Sequence, residues 1–255
     1  MNKPLILVTN DDGIDAYGIR ALIAVMNELG DVYVVAPDSP QSGMGHAVTI
    51  NATLHLEEYN KFPGPQKEWS CSGTPADCVK LAKQQILPRL PDLCVSGINH
   101  GSNSGISVIY SGTMSAAIEA AIENIPAIGF SLNDYSFNPD FETSKYFVKK
   151  IAQQVLQNKL PNNIALNVNI PLGKLQDIHG IKVCRQANSL WVEEFEKRID
   201  PRGKDYFWLT GYLKNNDEGT DTDEFALKNN YVSIVPVKAD LTSYTTIRAI
   251  ERWFD

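Results

Sequence analysis

Apolar positions along the first two-thirds of the chain alternate between two kinds of segment. Leu5–Thr9 is a short, β-branched run that ends in a polar turn, the pattern of a parallel strand buried on both faces. Ile19, Leu22, Ile23 and Met26 then recur at i, i+3, i+4 and i+7, one face of a helix that Gly30 can terminate. A second strand is expected at 32–36, stopped by Pro37. Thr74-Pro75-Ala76-Asp77 carries the signals of a helix start: a hydroxyl at the cap, Pro at the first position and a carboxylate three residues after the cap. That helix is expected to reach about Ile86, with a strand at 93–96 behind it. Ser111-Gly112-Thr113 opens a helix lined by Ala116, Ala117, Ala120 and Ala121, and 127–131 reads as the next strand. Phe147, Val148, Ile151 and Val155 mark one more amphipathic helix, followed by a strand at 164–168. Such alternation predicts an α/β fold with a doubly wound, mostly parallel sheet and right-handed crossovers.

Beyond about Pro171 the texture changes. Aromatic and β-branched segments such as 206–209 and Tyr231–Val237 flank a polar stretch, 214–224, rich in Asn, Asp and Gly. These predict strands with long connections and a hairpin extension, and 244–254 reads as a short terminal helix. The expected organisation is a Rossmann-like core over residues 1–179 and a C-terminal strand, hairpin and helix extension over 180–255.

In an open α/β sheet, ligands bind outside the carboxyl ends of the strands. Three such ends carry polar clusters: Thr9-Asn10-Asp11-Asp12-Gly13, Pro37-Asp38-Ser39-Pro40-Gln41-Ser42-Gly43, and Gly97-Ile98-Asn99-His100-Gly101-Ser102-Asn103. Carboxylate, hydroxyl and amide oxygens on one crest suit a hard divalent cation such as Mg²⁺. Adjacent carboxylates repel one another and lose solvation if buried, so a cation is a natural neutraliser. Both Asp11 and Asp12 can reach one ion only where the strand gives way to a turn, which Gly13 permits. The alternative is that one Asp caps the following helix and Gly13 merely turns the chain; Ser42 and Asn99, converging by topology, favour metal.

A phosphate site is a separate expectation. A helix beginning at Ser111-Gly112-Thr113 presents free backbone N–H groups, two hydroxyls and the positive end of a dipole. Equally, Ser111 or Thr113 can serve as an N-cap with no ligand. The loop Gly101-Ser102-Asn103-Ser104-Gly105 is too long and glycine-rich for a tight connection, which favours a functional role. Neither the P-loop nor the dinucleotide fingerprint occurs, and no G-x-S-x-G elbow supports a serine hydrolase. Of the four histidines, His46 and His100 follow candidate ligand loops and are expected to line the pocket, whereas His55 and His179 are not.

The chain has 255 residues, and 23 Lys and Arg against 30 Asp and Glu leave a formal charge of −7. That balance disfavours long nucleic acids, which require an extended basic footprint. It leaves room for one phosphate held locally by a cation and a helix terminus. The apolar run 5–8 is too short for a signal-peptide core, and no stretch approaches a membrane span. Cys71, Cys78, Cys94 and Cys184 form no C-x-x-C pair and read as buried free thiols of a cytoplasmic protein; a cysteine nucleophile is the lesser alternative, with no neighbouring His to support it.

These motifs together resemble the SurE family, the survival-protein-E nucleotidases. The similarity begins at Leu7-Val8-Thr9-Asn10-Asp11-Asp12-Gly13-Ile14 and continues through Ala36-Pro37-Asp38 to Ser42-Gly43, then Gly73-Thr74-Pro75-Ala76-Asp77-Cys78-Val79. It includes Val95-Ser96-Gly97-Ile98-Asn99-His100-Gly101-Ser102-Asn103 and Tyr110-Ser111-Gly112-Thr113. Towards the C-terminus it covers Asp200-Pro201-Arg202-Gly203, Gly219-Thr220-Asp221-Thr222-Asp223 and residues 230–236. One departure is Pro40-Gln41, where a basic residue often precedes the family's Ser-Gly.

The resemblance implies a Rossmann-like core and a metal-dependent phosphatase acting on nucleoside 5′-monophosphates, and often on 3′ forms. By position it implies that Asp11, Asp12, Ser42 and Asn99 hold one divalent cation per subunit, Mg²⁺ or Mn²⁺. Asn10 and Ser111-Gly112-Thr113 would bind or orient phosphate. Asp11 or Asp12 would be the catalytic proton acceptor. It further implies that the C-terminal part builds homodimers or homotetramers. A phospho-aspartyl route lacks its usual D-x-D spacing here, because the two carboxylates are adjacent. A non-catalytic nucleotide sensor and a metal-dependent nucleotide-sugar transferase remain as other classes on the same features.

Overall fold

The computed structural model describes residues 3–136 and 139–255. Its elements follow the predicted alternation: β1 (Leu5–Thr9), α1 (Tyr17–Met26), β2 (Asp31–Pro37), β3 (Leu56–Glu58), β4 (Lys67–Cys71), α2 (Pro75–Leu81), β5 (Leu93–His100), α3 (Gly112–Ile122), β6 (Ala127–Asn133), α4 (Glu142–Asn158) and β7 (Ala165–Pro171). Then come β8 (Gly180–Val183), β9 (Ser189–Ile199), β10 (Asp205–Asn215), α5 (Asp223–Lys228), β11 (Tyr231–Val237) and α6 (Tyr244–Glu251). Nine strands make one sheet in the order β3-β4-β2-β1-β5-β6-β7-β11-β8. Neighbours run parallel except at β3/β4 and β7/β11. This is the α/β, mostly parallel architecture that the periodicity implied.

Strand alternation sorts the core into two layers. In β1, Ile6 and Val8 face the layer shared with Ile19, Leu22 and Met26 of α1 and Phe147, Val148 and Ile151 of α4. Leu7 faces the other layer, with Cys78 and Val79 of α2 and Ala116, Ala117 and Ala120 of α3. The alanines let α3 lie close to the sheet, which brings its N-terminus down onto the end of β1. At α2 the sequence signals are met in full: Thr74 accepts from the Asp77 N–H at 3.2 Å, and Asp77 accepts from the Thr74 N–H at 3.0 Å. Cys71, Cys78, Cys94 and Cys184 are free and buried, as expected. Among the described residues no helix is long and apolar enough to cross a membrane.

Several elements differ from the sequence expectation. The helix expected to reach Ile86 ends as a regular α-helix at Leu81 and continues as a wider π turn over Ala82–Ile86. β5 and β6 run on to His100 and Asn133, because parallel pairing carries the ladder into the polar strand ends. Edge strand β3 and its neighbour β4 read as polar, and three-residue β3 lacks a period to detect. Helix α5 closes the stretch 214–224, expected to be a plain connection; Thr222 caps it by accepting from the Phe225 N–H at 3.1 Å.

In the C-terminal part, β8 and β11 complete the main sheet, whereas β9 and β10 pair only with each other. This hairpin is the predicted extension, 11 residues per arm and largely exposed. Its base is fastened to the short 3₁₀ turn Gly105–Ile109, where the Ile106 N–H donates to Ser189 Oγ at 3.1 Å. Helix α6 buries none of its residues.

Candidate active site

The chain places β2 on one side of β1 and β5 on the other, so strand order reverses between β1 and β5. Crevices at such reversals are where open α/β sheets bind ligands. Asp11 and Asp12 follow β1 there, and Asn99 and His100 close β5. Asn10 stabilises the turn by donating from Nδ2 to the Gly13 carbonyl at 2.8 Å, and Gly13 adopts φ +99°. The Gln41 N–H donates to the Asp11 carbonyl at 2.7 Å, which ties the Ser42 loop to the same turn.

Asp11 is only 4% exposed. Its carboxylate accepts from the Thr113 hydroxyl and faces the backbone N–H groups of Gly112 and Thr113. Burial pushes its pKa up, against the lowering effect of those donors. Asp12 is pushed up to about 6, first by burial and then by the charge of Asp11; the His100 N–H, 3.4 Å away, opposes this weakly. Among the described residues no Lys or Arg forms an ion pair with either. The buried Asn10 Oδ1 beside them has no hydrogen-bond partner in the protein. Two desolvated like charges and an orphaned amide oxygen, next to the oxygens of Ser42 and Asn99, fit a hard divalent cation. Among the described residues no group of three His, Cys, Asp or Glu side chains that could hold a metal occurs; the oxygens present here are two carboxylates plus neutral groups.

The helix terminus opposite is more committed than its sequence suggested. Ser111 is the N-cap of α3, accepting from the Met114 N–H at 3.0 Å, and the Thr113 hydroxyl is spent on Asp11. Gly112 is required by packing: a Cβ there would lie 2.6 Å from Asp11 Cβ. Asn10 and Thr113 lie beneath the surface, while Asp11, Ser42, Asn99 and Ser111 line one open cleft of about 630 Å³. His100 lines it too, as expected. His46 does not: it pairs through Nε2 with Glu119 Oε2 at 2.8 Å and sits in an adjoining groove beside Ser111. Lys80 holds the other oxygen of Glu119.

The loop 101–105 is stapled from below. The Asn103 N–H donates to Asn169 Oδ1 at 2.7 Å, and the Gly105 N–H donates to Asp223 Oδ2 at 2.8 Å. The same cleft is lined by Tyr110, Tyr135, Trp191, Glu193 and Leu209, of which sequence reasoning assigned none to the site. Tyr135 lies two residues past the end of β6, so the strand-end rule extended to β6 would have reached it. The hairpin residues carry no local signal, because only tertiary folding brings them to the cleft.

The family model described as Survival protein SurE matches residues 6–193. The chain belongs to the SurE family. Its SurE relatives include a protein named 5′-nucleotidase SurE from Flavobacterium psychrophilum, 64% identical over 253 residues, 99% of this chain and 98% of that protein. Another of the same name, from Christiangramia forsetii, is 66% identical over 252 residues, 98% of this chain and 97% of that protein. The crystal structure of the SurE protein from Aquifex aeolicus superposes with a TM-score of 0.84 at 40% identity, covering 99% of this chain and all of that one.

Proposed function

We propose that this chain hydrolyses nucleoside 5′-monophosphates, and their 3′ isomers, to nucleoside and inorganic phosphate with one divalent cation, Mg²⁺ or Mn²⁺, per subunit. The observation that carries the reading is the desolvated Asp11–Asp12 pair, of which Asp11 lies against the N-terminus of α3 and lines the open cleft. The relatives' name, 5′-nucleotidase, supports the substrate class. Asp11, Asp12, Ser42 and Asn99 would hold the cation, whose charge offsets that of the phosphate oxygens when bound. Ser111, which lines the cleft at the N-terminus of α3, would bind a phosphoryl oxygen and, with the positive end of that helix, stabilise charge that develops there, while the N–H groups of Gly112 and Thr113 hold the Asp11 carboxylate in place. Asn10 fixes the turn that aims both carboxylates. Asp11 or Asp12 takes the proton of the attacking water.

Phosphate release from AMP tests this directly: release abolished by EDTA and restored by Mg²⁺ or Mn²⁺ is the expected result. Absence of metal-dependent release across a panel of 5′- and 3′-nucleotides would overturn the enzyme reading and leave a nucleotide sensor on the same fold. We also propose that residues 180–255 serve in forming a homodimer or homotetramer, supported by α6, which buries nothing within its own chain. The buried free thiols support a cytoplasmic setting.

A further inference from the structure

We propose that Tyr135 and Trp191 form the base-binding end of the cleft, so that the β9–β10 hairpin selects the leaving nucleoside while the sheet crest handles the phosphate. This rests on the nucleotidase reading above. The cleft has linings of two characters: Asp11, Ser42 and Ser111 from the sheet crest and α3, and Tyr135 from beyond β6 with Trp191 and Leu209 from the hairpin. Each ring is held by its polar edge and leaves an aromatic face free. The Trp191 Nε1–H donates to Ser107 Oγ at 3.2 Å, yet the residue remains 39% exposed. The Tyr135 hydroxyl accepts from the Ser102 N–H at 3.3 Å, and the ring lies so close over Gly101 that a Cβ there would come within 2.6 Å of it. The residue is nevertheless 68% exposed.

The hairpin register explains why the Trp191 face looks inward. Gly211 pairs with Glu193 and Leu209 with Phe195, so Trp191, Glu193, Leu209 and Gly211 share one face of the ribbon. The Glu193 carboxylate at this end disfavours a second phosphate and leaves an uncharged planar group as the suitable occupant. A nucleobase meets both conditions, since every base offers a π-face for stacking. Stacking on a part of the substrate remote from the reacting phosphate acts on ground state and transition state alike, so it should appear in KM and not in kcat.

The test compares AMP with ribose 5-phosphate, which keeps the phosphate and sugar but lacks the base. Trp191→Ala is expected to raise KM for AMP about 10-fold with kcat within about 2-fold, leaving ribose 5-phosphate kinetics unchanged. Trp191→Phe should restore most of the loss, and Tyr135→Ala, on a separate element, should show the same split. Equal losses on both substrates, or no change with AMP, would overturn the inference. So would a wild-type KM for ribose 5-phosphate equal to that for AMP, a result that leaves the phosphatase reading standing. Release of phosphate from neither substrate by the wild-type protein would instead remove the nucleotidase reading itself, and this inference with it.

Discussion

At the scale of single residues, the site is governed by how closely Gly112 approaches Asp11. The two elements meet backbone to side chain, with 2.6 Å between Asp11 Cβ and any Cβ built at position 112. Alanine favours helices, so Gly112→Ala gains slightly in propensity at the first turn of α3. Sterics outweigh that gain, because Asp11 is enclosed and cannot step aside without moving the turn. A displacement of this size at a reacting centre costs on the order of 10²-fold in rate. Gly112→Ala is therefore expected to lower kcat/KM by about 100-fold and to lower Tm, read by phosphate release and thermal melting. Unchanged activity would show that the turn gives way freely. At Gly43 the limitation is of another kind: nothing lies within 4 Å of a Cβ there, but φ is +75°, so the cost of a side chain is conformational.

At the scale of elements, Glu119 joins three pieces of chain: its own helix α3, the segment bearing His46 and Ser42, and Lys80 in the last turn of α2. His46 first, and then Lys80, hold the Glu119 carboxyl below its ordinary value of 4.5, against the opposing effect of burial. A folded pKa below the unfolded one gives stability that is complete above the ordinary range and is lost as pH falls through the folded value. Glu119→Gln should destabilise the protein by roughly 2 kcal/mol at pH 7, with the gap to wild type closing as denaturant melts are taken to about pH 3. A gap independent of pH would mean that shape, not charge, matters there. The same comparison of local and distant partners explains what could be read from sequence. β1, the Thr74 cap and the start of α3 were legible because neighbouring residues determine them. The strand-end rule then brought Asp11, Asp12, Ser42 and Asn99 to one crest. Strand β4, whose polar residues owe their strand state to pairing with β2 and β3, and helix α5, set in an Asn- and Asp-rich stretch, were not legible. Ser111 exposed a different limit: cap and phosphate ligand share one sequence signature, and only the fold reveals the hydroxyl accepting from the Met114 N–H.

At the scale of the whole molecule, the apolar surface is unevenly placed. Phe207, Trp208 and Tyr212 of the hairpin and Tyr244, Ile247, Ile250 and Trp253 around α6 are exposed. Along α6 the spacing of Tyr244, Ile247 and Ile250 makes a stripe at i, i+3 and i+6 that touches no core. Contiguous apolar surface of this kind marks an association site, and a second copy of the chain is the partner proposed for it. Light scattering is expected to give a dimer or tetramer, and Ile247→Glu combined with Trp253→Glu to give monomer that retains the far-ultraviolet circular dichroism of the wild type. Wild-type protein that is monomeric at micromolar concentration would refute the association. The formal charge of −7 fits the function proposed above, in which a single phosphate would be met by local groups and not by a basic surface. Residues 189–215 hydrogen-bond as a sheet of their own, while the carboxylates and the helix terminus belong to the central fold. On the division of labour proposed above, chemistry and taste are inherited on separate stretches of chain. Genetic drift in the hairpin can then retune which nucleotides are accepted while the phosphate-cleaving apparatus passes unaltered to descendants.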